Sequence, residues 1–168
     1  MKKSVNSGTF ALPEVFSLTV DYSKTFDEMV MAGRYDWKDR NVTVENFPIS
    51  GEGVVEFDAF YFRFRDQFPI HLEHCGWCLK RKIRETNESN PWSSAKIEHV
   101  LALGAAYPDE QRKHPIIGLG SIARIGINLE VPCIYEFKDS RRYLCSGWWA
   151  GERWFSIARF LAVRSVRK

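Results

Sequence analysis

Alternation of apolar and polar residues first appears in residues 14–22, EVFSLTVDY, and predicts a β-strand. The next element begins at Thr25, which forms a T-x-x-E capping box with Glu28, so the pattern predicts a helix start. Gly33 is expected to end that helix in a left-handed conformation. The apolar stripe of the predicted helix consists of Phe26, Met29 and Val30.

Residues 35–53 are polar and rich in turn formers, which predicts a long loop. A strand is predicted for residues 54–64, VVEFDAFYFRF, with a bulge where its alternation slips near Ala59. Residues 94–107 have helical periodicity, and Pro108 is expected to end that helix.

The remaining segments predict one more helix and a set of strands. A helix is expected within residues 67–86, after Pro69, and a strand at 115–122. A C-terminal meander is expected from strands at about 127–137, 141–149 and 153–164. Residues of the last segment also fit an amphipathic helix, but its β-branched and aromatic content favours a strand.

Together these elements predict an α+β fold. Residues 1–13 are expected to be a flexible tail, and residues 14–168 a single domain. That domain would comprise an N-terminal βαβ segment, two central helices and a C-terminal antiparallel β-meander.

Composition is that of a soluble globular protein, with 45% hydrophobic and 27% charged residues. No apolar run approaches the roughly 18 residues of a membrane span, and the polar N-terminal stretch does not resemble a signal peptide. Four cysteines are too few for a disulfide scaffold, so we expect a cytoplasmic protein that contacts no membrane. No motif indicates a cofactor.

Charge is concentrated in residues 141–168, which carry seven basic side chains against one acid and are also rich in aromatics. Arginine with large aromatic residues is typical of contact surfaces. Phe155, Ile157, Leu161 and Val163 are expected to face inward. The predicted ligand-binding residues are Arg142, Tyr143, Trp148, Trp149, Arg153 and Trp154. Alternatively, the tryptophans are core residues with arginines at their edge, or the stretch binds single-stranded nucleic acid.

A second cluster, His71, His74, Cys75 and Cys78, would lie along one helical stripe. Imidazole and thiolate are preferred zinc ligands. Seven residues of helix span about 10 Å, however, so one ion cannot gather all four. A metal site would need further ligands from His99, His114, Cys133 or Cys145, and we expect none.

Cys75 and Cys78 also form a C-x-x-C pair, which can act as a redox dithiol. The later segment GINLEVPCIYEFKDS resembles the thioredoxin-family segment in which a cis-proline, here Pro132, faces the dithiol. The helix that should precede that segment is missing from the pattern.

Three blocks of the chain resemble a family of uncharacterised small bacterial proteins: VDYSKTFDEMVMAGRYDW, KIEHVLALGAAYPDEQRKHPIIGLGS and RFLAVR. That resemblance implies no activity. The order of helices and C-terminal strands is also similar to C-type-lectin-like domains, which present their last residues as a binding surface. This similarity implies binding residues between Tyr143 and Trp154.

The function that these patterns favour is non-catalytic binding of a protein or other ligand through the C-terminal sheet and its turn. The alternatives are a thiol redox or metal-dependent protein that uses Cys75 and Cys78, and a single-stranded nucleic-acid binder. We expect that the protein is not an enzyme.

Overall fold

A mixed β-sheet and three helices make up the residues that the computed structural model describes, which are 15–62, 92–148 and 157–166. The helices are α1 (Phe26–Ala32), α2 (Ile97–Ala106) and α3 (Glu110–Lys113). The strands are β1 (Phe16–Asp21), β2 (Trp37–Lys38), β3 (Val54–Phe62), β4 (Ser93–Ser94), β5 (Ile116–Ile117), β6 (Ala123–Ile125), β7 (Asn128–Glu136), β8 (Arg142–Trp148) and β9 (Arg159–Ser165). An α+β architecture is therefore confirmed, whereas the predicted tail and the predicted helix after Pro69 lie outside the described residues.

Strand order differs from the predicted C-terminal meander. The sheet runs β1-β3-β9-β5-β7-β8-β2, with β4 beside β9 and β6 beside β7. β7 and β8 form the expected antiparallel hairpin, but β9 lies between β3 and β5 instead of beside β8. The last strand of the predicted meander is therefore wrongly placed. β9 pairs antiparallel with β3 and parallel with β5, which makes it a central strand.

Apolar side chains are buried on both faces of this sheet. One face carries Leu18, Ala59, Leu144 and Leu161, which pack with residues of α1 and α2. The opposite face carries a second cluster that contains Phe60, Ile117, Cys133, Cys145 and Phe160. Because β9 is central, its residues Arg159–Ser165 contribute to both clusters, whereas Ile157, expected to face inward, is exposed.

Two-sided burial explains why the predicted bulge near Ala59 is wrong. Pairing of β3 with β9 continues through Ala59 without an extra residue, and pairing with β1 extends without a break up to Ala59. Ala59 belongs to one cluster and Phe60 to the other. A strand covered on both faces does not need to alternate between apolar and polar residues. The slip in the sequence pattern therefore reflects burial and not a change of register.

The capping box predicted at the start of α1 is confirmed. The Thr25 side chain accepts a hydrogen bond from the Glu28 backbone N–H at 3.3 Å, and Glu28 accepts one from the Thr25 N–H at 2.7 Å. The left-handed conformation predicted for Gly33 is wrong, because Gly33 remains right-handed with φ −72°. The next residue, Arg34, has φ 48° instead.

None of the helices within residues 15–62, 92–148 and 157–166 is both long and apolar enough to span a lipid bilayer.

Candidate functional site

Arg142, expected on a contact surface, is buried with 7% of its area exposed. Its guanidinium group donates to the carbonyl oxygens of Gly33 at 2.8 Å and Gly104 at 2.8 Å. It also donates to Gln111 Oε1 at 3.0 and 3.2 Å, from Nη2 and Nε. The expectation that Arg142 is an exposed ligand-binding residue is therefore wrong. Two of its acceptors, the Gly33 and Gly104 carbonyls, lie at the C-terminal ends of α1 and α2, where helical carbonyls have no partner within the helix.

Tyr35 completes the surroundings of this buried cation. The Arg142 guanidinium lies 5.3 Å from the centre of the Tyr35 ring. That ring fits between two glycines: a Cβ atom on Gly33 would lie 2.2 Å from Tyr35 Cε2, and one on Gly104 would lie 2.1 Å from Tyr35 Oη. Both glycines are thus required by the close approach of one aromatic ring. This packing brings together residues that the sequence separates by about 70 positions.

Tyr143, the residue after Arg142, lies on the opposite face of β8 and belongs to a partly exposed group of aromatic rings. Its ring centre is 5.2 Å from that of Trp37, 5.5 Å from that of Tyr135 and 5.7 Å from that of Phe137. Trp37 is 45% exposed and Phe137 is 50% exposed. We call these four residues, Trp37, Tyr135, Phe137 and Tyr143, the aromatic patch.

Strand register creates the aromatic patch. Tyr143 pairs with Tyr135 across the β7–β8 hairpin and with Trp37 of the parallel strand β2. Neighbouring strands lie about 4.8 Å apart, so side chains in register touch across the sheet. β2 is fixed in place because the Asp36 N–H donates to the Arg142 carbonyl at 2.9 Å and the Asp36 carboxylate accepts from the Arg142 N–H at 2.7 Å.

The turn between β7 and β8 holds the exposed end of the patch. The Phe137 N–H donates to the Arg141 carbonyl at 3.0 Å, and the Ser140 N–H donates to the Phe137 carbonyl at 2.9 Å. Ser140 adopts φ 64°, as expected for a three-residue hairpin loop. Asp139 accepts a hydrogen bond from the Tyr143 hydroxyl at 3.2 Å. Three of the four patch residues, Tyr135, Phe137 and Tyr143, are therefore carried by a hydrogen-bonded hairpin.

Loss of hydration and the nearby Asp139 carboxylate raise the pKa of Tyr143 above that of a free tyrosine. Its hydroxyl therefore stays protonated at neutral pH and acts as a donor to Asp139. Lys138 and Arg141 flank the same turn, and Arg141 lies 3.5 Å from Asp139. The rim of the patch thus contains both signs of charge.

The other predicted ligand-binding residues cannot be placed on this patch. Trp148 ends β8, where its backbone pairs with Glu130, but its side chain lies outside the described residues. Trp149, Arg153 and Trp154 also lie outside them, as do His71, His74, Cys75 and Cys78. Their roles stay predictions.

Trp37, Tyr135 and Phe137 were missed by the sequence analysis. The sequence held a signal for two of them. The Lys138-Asp139-Ser140 turn sets the hairpin register that pairs Tyr135 with Tyr143. Phe137 follows Tyr135 by two positions, so strand alternation places both on the same face. For Trp37 there was no such signal, because its pairing with β8 joins segments about 100 residues apart.

Cys133 and Cys145 face each other across β7 and β8, and both are buried free thiols. Contact with Cys145 and burial raise the pKa of the Cys133 thiol well above its ordinary value. A thiol that stays protonated is a poor nucleophile and a poor metal ligand. Within residues 15–62, 92–148 and 157–166, no group of three or more His, Cys, Asp or Glu side chains could hold a metal ion.

His99 caps the start of α2. Its Nδ1 accepts the Lys96 backbone N–H at 3.0 Å, and its ring meets that of Phe57 edge-on at 4.6 Å. Because Nδ1 is an acceptor, the neutral ring carries its proton on Nε2, which is buried and has no hydrogen-bond partner within the described part of the chain. Burial and the positive charge of Lys96 lower the pKa of His99 to about 4.

We expect His99 to make folding stability fall as the pH is lowered from about 6.5 to about 4. The folded state keeps His99 neutral in this window, whereas the unfolded chain binds a proton, so acid favours unfolding. Between pH 7 and 4.5, the wild type should lose about 2–3 kcal/mol more than His99→Gln, whose amide oxygen can still accept from Lys96. Urea unfolding at both pH values measures the difference.

The wild type is compared with His99→Gln because Glu98 changes the pH dependence of folding stability in the opposite direction to His99. Burial raises the pKa of the Glu98 carboxyl, so that group contributes more stability as the pH falls. Glu98 is present in both proteins and cancels in the comparison. Equal losses in the wild type and His99→Gln, or an NMR titration of His99 near 6.5, would contradict the assignment.

Comparisons with protein-family models, with curated proteins and with solved structures found no match to this chain, so the interpretation of its sites depends on its own geometry.

Proposed function

We propose that this chain is a non-catalytic binding protein whose aromatic patch contacts a partner protein. The observation that supports this proposal is the pair of half-exposed rings, Trp37 and Phe137, which touch Tyr143 on a hydrogen-bonded hairpin. Tryptophan and tyrosine supply much of the energy of protein interfaces when a partner removes them from water. Contacts on a preformed hairpin lose little conformational entropy on binding.

Charge around the patch favours a protein over nucleic acid. The turn carries Lys138 and Arg141 together with Asp139. The Tyr143 hydroxyl donates a hydrogen bond to the Asp139 carboxylate. A nucleic-acid surface requires a row of unpaired cations that neutralises phosphates. A rim with both charges around an apolar centre is typical of protein interfaces.

The similarity to C-type-lectin-like domains remains part of this proposal. It implies that binding residues come from the stretch that begins at Tyr143, which is the centre of the aromatic patch. Trp148, Trp149, Arg153 and Trp154 are proposed to extend the same binding surface. The cytoplasm stays the expected compartment.

We expect Trp37→Ala and Phe137→Ala each to weaken partner binding at least tenfold while leaving the protein folded. Each removes about 2 kcal/mol or more if the ring is an interface hot spot. The tagged full chain would first be used to capture a partner, which is then purified so that its Kd for each variant can be measured by calorimetry. Circular dichroism would check the fold.

Ile127→Ala is the matched control, because Ile127 is 93% exposed at the β6–β7 turn and outside the patch. Its Kd should equal that of the wild type. If Trp37→Ala and Phe137→Ala bound the partner with the same Kd as the wild type, the proposal would be overturned. Co-purifying material that absorbs at 260 nm, with an affinity that falls steeply in salt, would instead favour a single-stranded nucleic-acid binder.

A further inference from the structure

β1 forms one end of the strand order, and only β3 pairs with it among the described strands. The Tyr22 N–H donates to the Gly53 carbonyl at 2.8 Å, directly after the paired residues of β1 and β3. Residues of an antiparallel strand bond alternately to its two sides. Ser17, Thr19 and Asp21 therefore direct their backbone N–H and carbonyl groups away from β3, along the outer edge of the sheet.

Contacts at the two ends of this edge agree with that direction. The Tyr107 hydroxyl donates to the Ser17 carbonyl at 3.0 Å, and the Lys24 N–H donates to the Asp21 carbonyl at 3.2 Å. Between them, the Thr19 N–H and carbonyl have no hydrogen-bond partner in residues 15–62, 92–148 and 157–166, and Thr19 is exposed. An open edge of this kind is a template for a strand from another chain.

A cleft of about 460 Å³ runs along the same edge, where it is lined by Ser17, Thr19 and Asp21. Its other walls belong to the two helices that pack on β1. They include Ala32 of α1 together with Ala105 and Ala106 of α2, and all three alanines are exposed. Because these walls are small, apolar and open to solvent, the cleft has room for apolar side chains of an added strand.

The face of β1 that points away from the helices is acidic. Thr19 pairs across the sheet with Glu56, whose side chain is exposed and has no ion-pair partner among the residues described. Asp21 lies on the same face, and hydrogen bonds from Ser23 lower its pKa, so it is charged at neutral pH. Lys24 adds one positive charge near Asp21. Basic side chains on an added strand would match this face.

We propose that an extended peptide of alternating basic and apolar residues binds here as an added antiparallel strand beside β1. Its backbone would pair with the open groups of Thr19, since strand addition draws its affinity from main-chain hydrogen bonds. Side chains of a strand alternate between faces, so the apolar residues would enter the cleft while the basic residues approach Asp21 and Glu56. This site is independent of the proposed function, because the aromatic patch lies on β2, β7 and β8 at the other end of the sheet.

A second copy of this chain is a poorer occupant of the edge. Phe16, Leu18 and Val20 of β1 are buried against the helices of their own chain. A second β1 therefore has no free apolar side chain to place in the cleft. Pairing of two β1 strands would also bring the acids of both copies, Asp21 and Glu56, onto one face. A separate peptide satisfies both the cleft and the charge.

The test titrates an acetylated and amidated peptide of alternating valine and lysine, with valine at both ends and lysine at its centre, into the isotope-labelled full chain. We expect the NMR signals of the Ser17 and Thr19 amides to shift saturably. Hydrogen exchange of the Thr19 N–H should slow about tenfold at saturating peptide, because that group becomes bonded. The same peptide with glutamate in place of lysine should bind about tenfold more weakly.

Two methylated peptides test the backbone pairing directly. In an antiparallel pair, the central lysine opposite Thr19 directs its N–H at β1, whereas the neighbouring valine directs its N–H away. Methylation of the lysine N–H should therefore weaken binding at least about tenfold by removing a donor and adding bulk. Methylation of the valine N–H should leave the Kd within about twofold of that of the parent peptide.

Glu56→Lys tests the acidic face on the protein side and should weaken binding of the lysine peptide about three- to tenfold. Glu45→Lys is the matched control, because Glu45 is exposed in the loop before β3, outside the cleft, and the net charge changes equally. No saturable binding, equal affinities of the lysine and glutamate peptides, or equal losses from the two methylations would overturn the proposal. A dimer in solution with the Thr19 amide already protected would overturn it as well, in favour of a second copy.

Discussion

Arg142→Ala is expected to lower the free energy of unfolding by about 3–5 kcal/mol. The substitution removes every donor that the guanidinium directs at Gly33, Gly104 and Gln111, and leaves those acceptors buried. It also removes the cation packed over Tyr35. Denaturant unfolding monitored by tryptophan fluorescence would measure the loss.

Arg141→Ala is the matched control, since Arg141 precedes Arg142 and its side chain is exposed. Exposed ion pairs contribute little, so this variant should stay within about 0.5–1 kcal/mol of the wild type. Arg142→Lys should recover only part of the loss, because one ammonium group cannot reach acceptors arranged for a planar fork. Equal stabilities of the Arg141 and Arg142 alanine variants would contradict the structural role.

Gly104→Ala should destabilise the protein by about 1–3 kcal/mol, although alanine is the better helix former. The added Cβ would lie 2.1 Å from Tyr35 Oη and 3.0 Å from Tyr35 Cζ. The ring cannot move away easily, because Gly33 and Arg142 contact its other sides. Thermal and urea unfolding of the variant would show the sign of the change.

Tyr35→Phe separates steric overlap from helix propensity. The Tyr35 hydroxyl is buried and has no hydrogen-bond partner in residues 15–62, 92–148 and 157–166, so its removal alone should be nearly neutral. In the double variant, phenylalanine removes the closest atom and should recover a large part of the Gly104→Ala loss. Additive effects of the two substitutions would show that the contact with Tyr35 is not the cause.

Elements specified by neighbouring residues could be predicted from the sequence. The Thr25–Glu28 capping box depends on residues three positions apart, and α2 on its apolar period, so both were predicted. The β7–β8 hairpin follows from its turn. β9 could not be placed, because its neighbours β3 and β5 are distant in the sequence and a fully buried strand fits several positions in a sheet.

The two adjacent arginines show why the candidate site was only partly predictable. Successive residues of a strand point to opposite faces, so the side chains of Arg141 and Arg142 cannot lie on the same face of the sheet. The acceptors of Arg142 come from Gly33 and Gly104, which lie far away in the sequence. An arginine that satisfies its donors inside the protein has no local sequence pattern that distinguishes it from a surface arginine.

The two-residue strand β2 has a further consequence, for aggregation. β8 would otherwise present a row of unpaired backbone groups, and such edges recruit strands from other chains. Asp36 and Asp39 donate their backbone N–H groups to the carbonyls of Arg142 and Leu144, at 2.9 Å in both cases, and so occupy that edge. A partner can therefore contact the side chains here, but it could add a strand to β8 only after Trp37 and Lys38 had been displaced.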